Sequence, residues 1–311
     1  MRSKKSYFPW KTVGVMLVAA VALATSWTYV MSAGALSWML LRGTPLECDT
    51  RAALLSAKTG VDEAEDTDRV RRQIKLVQQG TDGLWLYETP GGPVWFPGDG
   101  AGAIGLDLAE QRRDIYSQRG VGVRPGDVVM DVGANVGLYA RKALQAGAAK
   151  VIAIEPVPAN VECLRRNLKS EIDAGRVVVV AKGAWDKDDV LEMNVYPDNM
   201  AGATFVGSRD EPGHKLQLPL TTLDKIAAGL GLERVDFIKM DIEGAERQAV
   251  RGAAALIRQH KPRMALCVYH LPDDPVVISR EVLALRADYS RVCGNCLFAS
   301  GHISPQVYFF R

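Results

Sequence analysis

From Asp127 onward the chain repeats one pattern, a short continuous apolar run followed by a segment of helical periodicity. The runs are DVVMDVG, KVIAIEP, RVVVVAKGAW, VLEMNVY, RVDFIKMDI, RMALCVYH and, last, PQVYFF. Between them lie LYARKALQAGA, PANVECLRRNLKS, TTLDKIAAGLG, GAERQAVRGAAALIRQH and PVVISREVLALRADY, each read as one helix. A strand that is apolar at nearly every position has to be covered on both faces. Such strands separated by helices predict a doubly wound α/β sheet, whose ligands bind outside the carboxyl ends of the strands.

The residues before this core have a different character. Arg2, Lys4, Lys5 and Lys11 precede a stretch, Thr12 to Leu41, with no charge. At the helical rise it would extend about 45 Å, more than the roughly 30 Å of bilayer hydrocarbon. Residues 12–41 are therefore expected to be a transmembrane anchor, with Trp27, Tyr29 and Trp38 at the interfaces. SAGA at Ser32 to Ala35 offers a signal-peptide cleavage site, but LSWMLL continues the apolar run past it. The excess of flanking positive charge puts residues 1–11 in the cytosol and the main domain on the other side, a Golgi lumen if the cell is eukaryotic, with the cytosolic face as the alternative. Residues 42–72, with the acidic VDEAEDTD, read as a stalk or solvated helix. Residues 73–311 read as the main domain: a β-hairpin region at 73–105, carried by LWLYETPGGPVWFP, and a core at 106–311. LDLAEQRRDIYSQRG reads as a helix ending at Gly120.

A net charge of +2 gives no reason to expect a nucleic-acid partner. Of five cysteines, Cys293 and Cys296 in CGNC could form a disulfide or half a zinc site with Cys267 and His270. Positions three apart on a strand point to opposite faces, so Cys267 and His270 are poorly placed to share an ion, and no metal is expected.

DVGANVG, Asp131 to Gly137, joins the first strand of the core to its first helix. Glycine permits a tight turn close to a ligand, and the helix N-terminus adds free N–H groups. Glu155 ends the next strand, where a carboxylate can accept from both ribose hydroxyls of an adenosine. The spacing is not the G-x-G-x-x-G of dinucleotide sites, and Asp131 at the loop disfavours a pyrophosphate. It suits a cationic ligand, and S-adenosylmethionine carries a sulfonium and an ammonium. In KMDIEGAE, Lys239, Asp241 and Glu243 alternate, so they share one face of a strand leaving the sheet. Buried charges there must pair with one another or with a ligand.

The ordered motifs RPGDVVMDVGANVGLYA, VIAIEPVPANVECLRRN, GAWDKDDVLEMNV, LTTLDKI, VDFIKMDIEGAERQAVRGA and MALCVYHLPDD resemble the FkbM-type family of S-adenosylmethionine-dependent methyltransferases, over about Leu106 to Phe310. The resemblance implies a Rossmann-like methyltransferase sheet and O-methyl transfer to a small-molecule or glycan hydroxyl. By position it implies that Asp131, Gly133, Asn135 and Gly137 cradle the methionine part of the donor, that Glu155 binds the ribose, and that Trp185 and Asp186 meet the adenine. Beside the donor, Asp241 or His270 is expected to take the acceptor's proton, Glu243 to hold substrate or metal, and Lys239 to complete the charged face. The competing view of these charges is a structural lysine–carboxylate network, with Glu243 and Glu246 favouring the next helix's N-terminus. A dehydrogenase-like adenosine-binding protein and an inactive membrane scaffold are the alternative functions.

Overall fold

The computed structural model describes residues 27–43, 46–196, 199–204, 214–299 and 302–311. The chain divides into two units, Met1–Asp62 with Cys296–Ser304, and Glu63–Asn295 with Pro305–Arg311.

In the first unit, residues 27–41 are helical (α1), and α2 (Thr50–Arg71) begins there. Ser32, Ala35 and Met39 recur at helical spacing and are buried, while Trp27, Val30, Trp38, Leu40 and Leu41 are exposed. Ser32 Oγ accepts from Ala57 N at 3.1 Å, tying the buried stripe to α2. Cys48 is disulfide-bonded to Cys296, so CGNC is not the internal disulfide that its spacing allows. The expected anchor is only partly comparable: residues 12–26 lie outside the described residues, as does the tail 1–11. No helix among the described residues is long and apolar enough to cross a membrane. The expected stalk, 42–72, is mostly α2.

In the second unit, β1 (Lys75–Gln79), β2 (Leu84–Thr89) and β3 (Gly92–Pro97) form an antiparallel sheet, with the expected hairpin between β2 and β3. Helix α3 (Ala101–Arg112) follows. It starts before the expected segment and stops well short of Gly120, because Asp114 takes a left-handed φ of 54° that no helix interior accommodates.

The central sheet has the order β13-β16-β12-β11-β4-β5-β6. Its parallel part comprises β4 (Val128–Val132), β5 (Lys150–Ile154), β6 (Val177–Val180), β11 (Phe237–Met240) and β12 (Arg263–Cys267). β16 (Val307–Phe310) runs antiparallel to β12 and to β13 (Arg291–Cys293), so the sheet is mixed at one edge. The two-residue period sends Met130, Ile152, Ile238 and Met264 into one core, and Val129, Val151, Phe237 and Ala265 into another. Both faces are buried, which is why the runs carry almost no polar residue. Helices α4 (Leu138–Gln145), α5 (Pro158–Asn167), α6 (Lys169–Asp173), α7 (Leu223–Gly229) and α10 (Asp274–Leu285) connect the strands.

Two expected single elements are divided. RVVVVAKGAW makes β6 and then, after a turn in which Lys182 N donates to Val180 O, β7 (Gly183–Ala184). β7 joins a second sheet, β7-β10-β8-β9, with β8 (Asp189–Tyr196), β9 (Asn199–Thr204) and β10 (His214–Thr221). GAERQAVRGAAALIRQH makes α8 (Glu246–Arg251) and α9 (Ala254–His260). The break falls at Gly252, where the Trp185 carbonyl packs so closely that an added Cβ would lie 1.9 Å from its oxygen.

Candidate active site

The turn after β4 is held from three sides. Gly133 N and Ala134 N both donate to Ile154 O at 3.0 Å, and Asn135 N donates to Glu155 Oε2 at 3.0 Å. Gly133, Asn135 and Gly137 all have positive φ, at 79°, 48° and 87°. At Gly133 the requirement is double: an added Cβ would lie 1.9 Å from the Asp241 carbonyl oxygen. The glycine turn and the KMDIEG segment are thus in direct backbone contact at the carboxyl ends of neighbouring strands β4 and β11.

Lys239 is directly opposite Asp131 in the β4–β11 register. Its Nζ lies 3.3 Å from Asp131 Oδ1 and donates to Gly133 O at 2.7 Å, and both side chains are buried. Burial works to lower the ammonium's pKa, but Asp131 and Asp241 outweigh it and hold the lysine well above its ordinary value. The expected charge pair on this strand is therefore made with Asp131, a partner from another strand that alternation within KMDIEGAE does not reveal.

Asp241 and Glu243 follow β11 rather than continuing it, and Glu243 sits at a left-handed φ of 56° that lets the backbone turn. Tyr116 Oη donates to Asp241 Oδ2 at 2.7 Å. His270 Nε2 lies 3.4 Å from Asp241 Oδ1 and 3.8 Å from Glu243 Oε2. Its Nδ1 lies 2.9 Å from Glu246 Oε1, an ionic contact outside good hydrogen-bond geometry. Glu246 in turn accepts from Ile242 N and Gly244 N, closing the turn. Burial raises a carboxyl's pKa, yet Lys239, His270 and the Tyr116 hydroxyl together hold Asp241 below its ordinary value. Burial lowers an imidazole's, yet Glu246, Asp241 and Glu243 push His270 up to about 10. At neutral pH the carboxylate is charged and the imidazole protonated, so Asp241 is the group able to accept a proton and His270 is not.

These groups border a cavity of about 160 Å³. Of the residues singled out in the sequence, Gly133, Asn135, Lys239, Asp241 and Glu243 line it. Asp131, Gly137, Glu155, Trp185, Asp186 and His270 do not. Asp131 is fully buried behind Lys239. Glu155 is buried beneath the loop, accepting also from Val157 N and Asn160 Nδ2. Trp185 is half-buried and Asp186 exposed, just beyond β7.

Sequence reasoning missed the wall opposite. Asp107 and Glu110 on α3, with Tyr116, Tyr139 and Tyr269, complete the lining. Asp107 Oδ2 accepts from Asn135 Nδ2 at 3.2 Å. Burial, with Asp241 nearby, raises Asp107 to about 7 against the pull of Lys239 and the Asn135 bond. The available signal was two acids one turn apart in an otherwise apolar stretch of a helix.

The family model of the methyltransferase FkbM domain matches residues 131–289, just over half of the chain. The chain belongs to the FkbM methyltransferase family. The family segment begins at Asp131 and includes Lys239, Asp241, Glu243 and His270, but not the α3 acids or Tyr116. Among curated relatives, 31-O-demethyl-FK506 methyltransferase FkbM of Streptomyces tacrolimicus is 28% identical over 44% of this chain and 63% of its own length. Methyltransferase sdnD of Sordaria araneosa is 26% identical over 40% of this chain and 59% of its own. The chain thus spans somewhat less than two thirds of these relatives. A crystal structure of Methyltransferase FkbM from Methylobacillus flagellatus KT aligns with 83% of this chain and 60% of that one, at 19% identity and a TM-score of 0.44.

Proposed function

We propose that the protein is an S-adenosylmethionine-dependent O-methyltransferase acting on a hydroxyl of a glycan, a lipid-linked molecule or a small molecule. The observation that carries this reading is the charge of the cavity. Asp107, Glu110, Asp241 and Glu243 line it, and the lysine among them is already committed to Asp131 and Gly133 O. Burial holds Asp107 and Glu110 toward their protonated forms, so the standing charge is that of Asp241 with Glu243 beside it. A group of acids next to a glycine turn suits a cationic ligand, which would draw the two α3 acids toward ionisation. Asn135 Oδ1, buried and without a hydrogen-bond partner, offers that ligand an acceptor. When bound, S-adenosylmethionine supplies a methyl group on positively charged sulfur.

The chain's own residues divide the remaining tasks. Gly133 and Asn135 shape the methionine end of the site, with Asp131 and Gly137 supporting them from behind. Glu155 holds the loop, and its Oε2, which accepts only from Asn135 N, keeps a lone pair for a ribose hydroxyl. Trp185 and Asp186 are assigned to the adenine. Asp241 accepts the acceptor hydroxyl's proton, Tyr116 fixes its carboxylate through Oδ2, and the Lys239 charge keeps it ionised. Alignment of hydroxyl and methyl supplies much of the rate, and the base about 10²–10⁴-fold.

We further propose that residues 12–41 anchor the chain in a membrane, with the catalytic unit on the non-cytosolic side. The exposed apolar residues of α1 support the first point. The Cys48–Cys296 disulfide supports the second, since such bonds persist in oxidising compartments. The donor must then be delivered to that side.

Melting curves of the full chain with S-adenosylhomocysteine and with NAD test the function. A ligand at 100 times its Kd stabilises by about 2.7 kcal/mol. Stabilisation by S-adenosylhomocysteine alone is expected. Stabilisation by NAD alone would make this a dinucleotide-binding protein, and a response to neither would leave an inactive scaffold.

A further inference from the structure

We propose that Asp241, Glu243 and His270 form a divalent-cation site of the Mn²⁺ class, and that the ion binds the acceptor's oxygen. The role assigned to the ion rests on the reading of this cavity as a methyltransferase site; the binding itself does not, and Asp241 meets the ion through Oδ1 and keeps Oδ2 for the acceptor's proton. One ligand atom from each residue lies within 4.8 Å of the other two, and the nearest approaches to His270 Nε2 are made by Asp241 Oδ1 and Glu243 Oε2. Two donors each about 2.1 Å from one ion can be at most about 4.2 Å apart. The measured 3.4 Å and 3.8 Å from His270 Nε2 to the two carboxylates fall under that ceiling.

The His270 side chain is only 7% exposed, and its Nε2 and Asp241 Oδ1 are both buried without a hydrogen-bond partner. Two polar atoms are thus withdrawn from water and directed at one point. Glu246 backs the imidazole at Nδ1, the arrangement by which a carboxylate orients a metal-binding histidine. Three carboxylates, Asp241, Glu243 and Glu246, surround one imidazole while Lys239 is engaged by Asp131, and a cation bound there takes the place of the His270 proton, which leaves to solvent. The left-handed backbone at Glu243 is a conformation that costs energy and recurs where a side chain has to be aimed. Two carboxylates and one imidazole make a mixed oxygen–nitrogen set. Carboxylates suit Mg²⁺ and Mn²⁺, imidazole suits the transition metals, and Mn²⁺ satisfies both.

The test uses the purified full chain, stripped with EDTA and dialysed, without donor. Loss of the free Mn²⁺ electron-spin-resonance signal on titration gives stoichiometry and affinity, and S-adenosylhomocysteine binding is measured on the same preparation. One Mn²⁺ per chain is expected, with affinity lowered about 10-fold or more by Glu243→Gln and by His270→Gln. Glu88→Gln, an exposed carboxylate elsewhere, should bind as the unmodified chain does. Glu243 is one-third exposed and its replacement isosteric, so that variant is expected to fold, with circular dichroism as the check. No Mn²⁺ bound at about 1 mM, or equal binding by both site variants and the parent, overturns the proposal. S-adenosylhomocysteine binding without Mn²⁺ binding would leave the methyltransferase reading standing and remove the metal site. Mn²⁺ binding without S-adenosylhomocysteine binding would do the reverse.

Discussion

Asp241 and Lys239 stand two residues apart yet belong to different tasks. Lys239 closes a buried pair with Asp131, and Asp241 faces the cavity with Tyr116 on one oxygen. Asp241→Asn should therefore lower methyl transfer by about 10²-fold or more, well beyond the weaker donor binding that loss of one cavity charge brings. If Asp241 instead served to neutralise Lys239, the same change would lower the melting temperature and leave turnover per folded molecule intact. Both quantities are to be measured on one preparation. Asp107 carries a pH dependence. Its folded pKa of about 7 lies above the unfolded value of about 3.9, so the folded chain holds a proton that the unfolded chain has lost. The stability Asp107 contributes is present below pH 4 and is lost as pH rises to about 7. A cationic ligand favours the ionised form, so binding releases this proton. Affinity for S-adenosylmethionine should rise with pH from about 5 to about 7 and then level off. Calorimetry in which Asp107→Asn retained the same slope would assign it to another group.

At the scale of elements, the site exists because two strand ends touch. Gly133 has no room for a side chain beneath the Asp241 carbonyl, and its φ of 79° suits glycine. Gly133→Ala has to push β4's loop from β11's, and should destabilise the chain by at least the 1–3 kcal/mol of backbone strain at such a position. Denaturant unfolding measures this, and a loss under 0.5 kcal/mol would mean the turn relaxes freely. The parallel strands were legible because burial on both faces leaves no polar alternation to confuse them. The division of GAERQAVRGAAALIRQH was not, since the helical period continues through Gly252 and the cause is a carbonyl from Trp185, 67 positions away. The cavity's second wall was missed for a similar reason. Asp107 and Glu110 lie outside the matched family segment, and only the packing of α3 brings them to Asn135.

For the whole molecule the prediction concerns the membrane. If residues 12–41 anchor the chain with the catalytic unit opposite the cytosol, protease added to the cytosolic side of intact vesicles should spare residues 43–311. Digestion there would reverse the orientation and remove the need to deliver the donor across the bilayer. The local code of this chain, its runs of Val and Ile, its glycine turn with Asp131, Glu155 at the next strand end and KMDIEG after a third, determined the sheet class, the family resemblance and the end of the sheet at which the cavity lies. Those are properties of hydrophobic period and backbone freedom, which act between near neighbours. Which charge meets which was decided only in three dimensions. Lys239 with Asp131, Tyr116 with Asp241, His270 among Asp241, Glu243 and Glu246, and Cys48 with Cys296 are separated by 108, 125, up to 29 and 248 positions. Electrostatic partners are chosen by distance through space, and that distance is set by strand order and helix packing, not by spacing along the chain.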